Sequence, residues 1–188
     1  MIFRTRLSKI FTLHSLFTVT FLSAVLSVPA RAGSIDIACV IEQEKTYTSA
    51  QDQFQIDLTA LIIRTSPDLK EVSELFLSDQ RNLIEMRRIA VEVLIHSEPD
   101  KVHVDSNINQ WLDLSKEDKQ IIAKRNKRYA ELLNLLDSAK TRPAHPDGDK
   151  VRALMRDKIS GMDEYKNLIA KLLTVIDKIN SSKCNSRK

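Results

Sequence analysis

SPDLKEVSELFLSDQRNLIEMRRIAVEVLIH, residues 66–96, decides the fold. It opens with Ser66-Pro67-Asp68: a capping hydroxyl, a proline suited to a first helical turn, and an acid that complements a helix N-terminus. Leu69, Val72, Leu75, Phe76, Leu83, Met86, Ala90, Val93 and Leu94 then recur at helical spacing. Leu77, Ile84, Val91 and Ile95 widen that face to roughly 200° of arc, at about 100° per residue. A surface helix buries a narrower stripe, so this one is expected to pack against two neighbours as the inner wall of a helical bundle. The helix should stop before Glu98-Pro99, because the residue ahead of a proline avoids helical geometry.

Working outward, the same period appears on both sides. A first helix is expected over 34–64, with Ile37, Val40, Ile41, Tyr47, Phe54, Leu58, Leu61 and Ile62 on one side. Thr65 and Ser66 leave a short link, which makes the two helices antiparallel neighbours. Residues 100–114 read as irregular, with a short helical turn around 107–112 that tucks Trp111 and Leu112 onto the bundle end. Ser115-Lys116-Glu117-Asp118 starts a third helix in the manner of a capping box, and Ile121, Ile122, Tyr129, Leu132, Leu133, Leu135 and Leu136 form its face. TRPAHPDG, residues 141–148, is a turn signal. A fourth helix over 149–180 is read as continuous through Gly161. The fold expectation is all-α: an up-down-up-down four-helix bundle with a short extra turn between its second and third long helices.

Residues 1–32 read as an address label. Arg4, Arg6 and Lys9 precede an apolar run over 10–28, and Ala30-Arg31-Ala32 has the form of an export cleavage site. The expected organisation is a cleaved signal peptide, 1–32, and one helical domain, 33–188. The leader holds four of the 29 basic residues and no acid, which leaves 25 bases and 25 acids in the rest. A nucleic-acid footprint needs a basic surplus on one face, and only Lys183, Arg187 and Lys188 supply one, so nucleic acid is excluded as the main partner. With the leader removed, no remaining stretch is apolar enough to embed the chain in a membrane.

Cys39 and Cys184 are the only cysteines. Export places them where disulfides persist, and the expected topology brings both to one end of the bundle. Closing so long a loop stabilises by up to about 5 kcal/mol in the chain-entropy view.

Signatures of phosphate-loop, dinucleotide, haem, di-iron and serine-hydrolase sites are absent, and no cofactor is expected. His96, His103 and Asp105 lie in the one stretch that gathers imidazoles and carboxylates, but without the tight spacing of a zinc or copper site. The stronger signal is polarity inside apolar arcs. Projected at about 100° per residue, Glu44, Gln51 and Gln55 fall on the inner face of the first helix, and Asp79, Gln80 and Arg87 on that of the second. Arg125 does so on the third helix and Lys158 on the fourth. Glu44, Arg87 and Arg125 share a height of roughly 10–15 Å from the cysteine end. Buried charges must pair or face water.

Two functions follow as expectations. With no nucleophile–base set and few aromatics, the leading one is a non-enzymatic, exported binding or scaffold protein, periplasmic or secreted, with an envelope or extracellular protein as its partner. Exposure of Tyr47 or Phe54 would mark its docking face. The second is a bundle that binds a small carboxylate through Arg87, Arg125, Lys158, Glu44, Gln51 and Gln55, since guanidinium groups grip carboxylates with two parallel hydrogen bonds.

Overall fold

A computed structural model describes residues 35–184, and the expected leader lies outside the described residues. Every long element among them is helical. There are six α-helices rather than four: α1 (Ile37–Thr65), α2 (Lys70–Ser97), α3 (Lys116–Arg125), α4 (Lys127–Thr141), α5 (Gly148–Asp157) and α6 (Asp163–Ser181).

Local chemistry sets most boundaries as the sequence implies. Asp36 caps α1 by accepting from the Cys39 amide at 3.1 Å. Pro67 opens a short 3-10 turn, so α2 begins a few residues later than Asp68 and ends at Ser97, ahead of Glu98-Pro99. The capping box at Ser115 and Asp118 is present in both directions. The extra turn between α2 and α3 is a 3-10 turn at Ile108–Gln110, which leaves Trp111 only 2% exposed.

Both departures are breaks inside expected helices. At Asn126 the backbone is extended, at φ −137° and ψ 111°, and the Asn126 side chain accepts from the Tyr129 amide to start α4. Asparagine is a strong N-cap, which is why the chain breaks there. The last helix divides at Lys158, whose backbone sits at φ −129° and ψ −59°. A 3-10 turn over Ile159–Gly161 follows, and α6 restarts at Asp163 and Glu164, whose acids suit a helix N-terminus.

α1 and α2 pack along each other, α6 lies on α1, and α4 lies on α2. Polar links fix the directions. Gln43, early in α1, donates to the Ser182 carbonyl at 2.6 Å, while Arg64, at the end of α1, pairs with Glu164 at 2.6 Å, so α1 and α6 are antiparallel. Arg128 pairs with Glu85 and Arg142 with Asp79, which sets α4 antiparallel to α2. Cys39 and Cys184 form the disulfide, with Cα atoms 5.5 Å apart across 145 residues of chain, and the Asp36 amide donates to the Cys184 carbonyl beside it.

The apolar residues gather in two cores. One, at the disulfide end, joins Val40, Ala90, Leu94, Ile108, Ile122, Tyr129, Leu132 and Ile176. The other, at the far end, joins Leu61, Ile62, Leu69, Val72, Val151, Ile159 and Leu168. Between them α1 has no buried residue over 49–58, α2 none over 74–85 and α6 none over 169–175. The central helix is therefore not an inner wall along its whole length. Phe76 and Leu83 stand on the same stripe as Val72 and Ala90, yet remain 37% and 39% exposed.

Cores separated in this way should respond independently. Leu132→Ala and Leu61→Ala are each expected to cost about 2–5 kcal/mol in urea unfolding, and the double variant their sum within about 0.5 kcal/mol. A strongly non-additive pair would mean a single continuous core.

Candidate functional site

The interior polar cluster is centred on Glu44. A residue two turns into α1 and one three turns before the end of α2 meet here, because the hairpin link makes the helices antiparallel. Glu44 is 2% exposed, and Arg87 reaches it from α2 with Nη2 3.1 Å from Oε2 and Nε 2.9 Å from Oε1. The second contact is close but poorly aimed: Glu44 Oε1 and Arg87 Nε both lack a directed hydrogen bond. Burial pushes the Glu44 carboxyl up to about 7, outweighing the opposing pull of Arg87. The folded form thus holds the proton more tightly than an open chain does. That stability is present below about 4.5 and is lost as pH rises through about 7.

Arg87 does more than balance a charge. Its Nη2 donates to the Ile108 carbonyl at 2.6 Å, and its guanidinium carbon lies 4.8 Å from the centre of the Tyr47 ring. The Tyr47 hydroxyl donates to Asn109 Oδ1 at 2.5 Å and accepts from Gln51 Nε2 at 2.8 Å. Asn180 of α6 accepts from the Ile108 amide at 2.9 Å. One network thereby ties α1, α2, α6 and the segment after α2. Tyr47 is 4% exposed and belongs to this network, while Phe54 is half-buried in the seam between α1 and α6.

Of the residues singled out in the sequence, Glu44, Arg87 and Gln51 come together. Arg125, the last residue of α3, is exposed and pairs with Glu98 at 3.0 Å. Lys158 is exposed where α5 ends, Gln55 is half-buried on α1, and Gln80 is exposed. Asp79 bonds Arg142 at 2.5 Å. The fork of Arg87 is taken by Glu44 and Ile108, and Arg87 does not line the small hollow of about 120 Å³ between α1 and α2 that Glu44 lines with Lys45, Arg88 and Glu92. His96, His103 and Asp105 are exposed, and no group of three histidine, cysteine or acidic side chains gathers among the described residues.

Sequence reasoning passed over a second feature, a groove of about 620 Å³ on the outer face of α2, walled by α1 and the start of α4. Leu77 and Ile84 line it with Ser49, Ser78 and Asn82. Four of its charges are paired across the helices, Arg81 with Asp52 at 2.7 Å and Arg128 with Glu85 at 2.7 Å, while Glu74 and Arg88 pair along α2 with Lys70 and Glu92. The Arg128 hydrogen bonds hold the Glu85 carboxyl below the usual carboxylate range. The charges at helical spacing on the outer face of α2, Glu74, Arg81, Glu85 and Arg88, were the available signal. The smaller seam between α1 and α6, about 220 Å³, is lined by Ala50, Phe54, Leu168 and Leu172.

No protein-family model, curated protein or solved structure matches this chain.

Tyr47→Phe tests the network by one atom. It removes a donor from Asn109 and an acceptor from Gln51, so urea unfolding should show a loss of about 1–3 kcal/mol. An unchanged midpoint would mean that water substitutes freely for the hydroxyl.

Proposed function

We propose that the protein is an exported, non-enzymatic helical-bundle protein of the periplasm or extracellular space that binds an envelope or extracellular protein partner through the outer groove. In this reading the six helices act as four antiparallel columns, α3 with α4 and α5 with α6 each counting as one broken column.

The observation that carries it is the composition of the groove. Its three acids and three arginines balance, Arg81 with Asp52 and Arg128 with Glu85 as direct pairs, around small hydroxyl and amide groups, Ser49, Ser78 and Asn82, and half-buried Leu77 and Ile84. A polar rim around an apolar centre is how protein interfaces are built, and a balanced charge pattern suits neither nucleic acid nor a free anion. From Glu74 to Arg88 the groove runs about 20 Å along α2, the length of a short helix or strand of a partner. The disulfide fits an oxidising compartment. The small-carboxylate reading has less support, because Arg125 and Lys158 stand apart from Arg87.

A photo-crosslinking side chain placed at Asn82 is the test, with Lys178 on the exposed face of α6 as the control position. In the native cell the Asn82 probe is expected to trap one discrete partner, and Ser78→Trp, which fills the groove from an exposed position, should abolish the adduct while leaving the helical spectrum unchanged. An adduct that survives Ser78→Trp, or equal labelling from Lys178, would contradict the groove. Export is read in the same preparation, where the protein should begin at Gly33; one beginning at Met1 would contradict cleavage.

A further inference from the structure

The two cores close the ends of the bundle, and the middle stays open on one side. α1 packs on α2, α6 on α1 and α4 on α2, but among the described residues α4 and α6 do not pack along each other. The opening falls in the band where α1, α2 and α6 have no buried residue. Phe76 and Leu83 form its floor. They lie seven residues apart on the stripe of α2 that carries Val72 and Ala90 into the two cores, and they are 37% and 39% exposed.

α6 supplies the rim. Its Leu172 and Val175 line the seam with α1, and its Ile176 enters the core that also holds Leu132 of α4. At about 100° per residue, the order round α6 from that seam is Val175, Leu172, Ile176 and then Leu173. Leu173 therefore borders the opening on the side of α4, and it is 51% exposed. It stands roughly 14 Å up α6 from the Arg64–Glu164 link, a level between those of Phe76 and Leu83, roughly 10 and 20 Å up α2 from the hairpin.

We infer that the protein pairs with a second copy of itself through this opening, Leu173 of each copy entering between Phe76 and Leu83 of the other. A two-fold contact needs a prominent and a recessed feature on one surface, and it penalises unpaired charge near the axis, where like meets like. The opening meets both terms. Leu173 stands out and the α2 pair is set back, with neutral Gln80 between Phe76 and Leu83. Charges beside it are already paired within the chain: Asp79 with Arg142, Asp137 with Lys140 and Asp163 with Lys166. A partner of unlike charge would find little there to recognise. With half-buried Leu136 and Ile169, the face exposes on the order of 300 Å² of apolar surface per copy. Interfaces are about 60% apolar, so two such faces bury on the order of 1,000 Å² in total, enough for a specific but concentration-dependent dimer. The outer groove lies on the opposite face of α2, so the pairing neither needs nor blocks it.

Sedimentation velocity of the purified, disulfide-bonded protein, from about 5 to about 300 µM, is the test. Monomer is expected to give way to dimer over that range. Leu173→Glu and Leu83→Lys, both at exposed positions, should each remain monomeric with the helical spectrum unchanged. Mixed in equal amounts they should form a heterodimer, because one contact then sets the new acid against the new base and the other keeps both leucines. Ser78→Trp, in the outer groove, should dimerise like the unaltered chain. A monomer at the highest concentration would overturn the pairing, and so would a dimer that Leu173→Glu leaves intact. A mixture that stays monomeric would do the same. In the native cell, a photo-crosslinking side chain at Leu173 should give an adduct of twice the chain's mass; an adduct only with a different protein would show that another occupant covers the face and would likewise overturn it.

Discussion

A carboxylate that is 2% exposed imposes terms on everything around it, and Glu44 is that carboxylate. Removing an ion from water costs several kcal/mol even after relaxation, and the cost is recovered only with a well-aimed counter-charge and further hydrogen bonds. Arg87 supplies the charge but aims only one of its two contacts well. What remains of the guanidinium is spent on Ile108 and Tyr47, so the same side chain that answers the burial of Glu44 also fastens the segment after α2. The order of the disulfide end rests on this pair. Val102, Ile108 and Trp111 can seal the core there only because the backbone that carries them is bonded to α1, α2 and α6.

The far end is built differently. Its core around Leu61, Leu69, Val72 and Ile159 has no buried ion pair among the described residues and is closed by α5 and the 3-10 turn that leads into α6. Between the two cores the stripe of α2 is left partly open at Phe76 and Leu83, and the long helices span the gap through their own backbone hydrogen bonds and through links such as Arg142 to Asp79. A disulfide at one end and a hairpin turn at the other hold the ends of α1, so a sparse middle is tolerated. The outer groove sits alongside this middle, on the opposite face of α2 from Phe76 and Leu83.

Much of this was legible in the sequence for identifiable reasons. Periodicity located α1 and α2, Pro99 ended α2, Ser115 with Asp118 began α3, and the two cysteines met because antiparallel helices return to the same end. Glu44 and Arg87 were found by projecting residues onto ideal helices, which works inside long unbroken helices such as α1 and α2. The same projection misplaced Arg125 and Lys158, and both stand where a helix stops: Arg125 is the last residue of α3, and Lys158 caps the end of α5. Basic residues favour helix C-termini, so those positions carried a boundary signal that was read as an interior one. Tyr47 was legible only as an apolar residue, since its partner Asn109 lies 62 positions away in an irregular segment. The groove escaped because its charges, taken one helix at a time, look like any solvated face; pairing across helices is a tertiary property.

The central claim is that Glu44 and Arg87 act as one unit rather than as two separately tolerated charges. Its most direct test is a double-mutant cycle with Glu44→Gln and Arg87→Met, read by urea unfolding of the disulfide-bonded domain at about pH 8, where the pair is ionised. The account predicts a coupling of about 1–3 kcal/mol, with the double variant losing less than the sum of the single changes. Strictly additive losses would contradict it, because each side chain would then be stabilising its surroundings without the other.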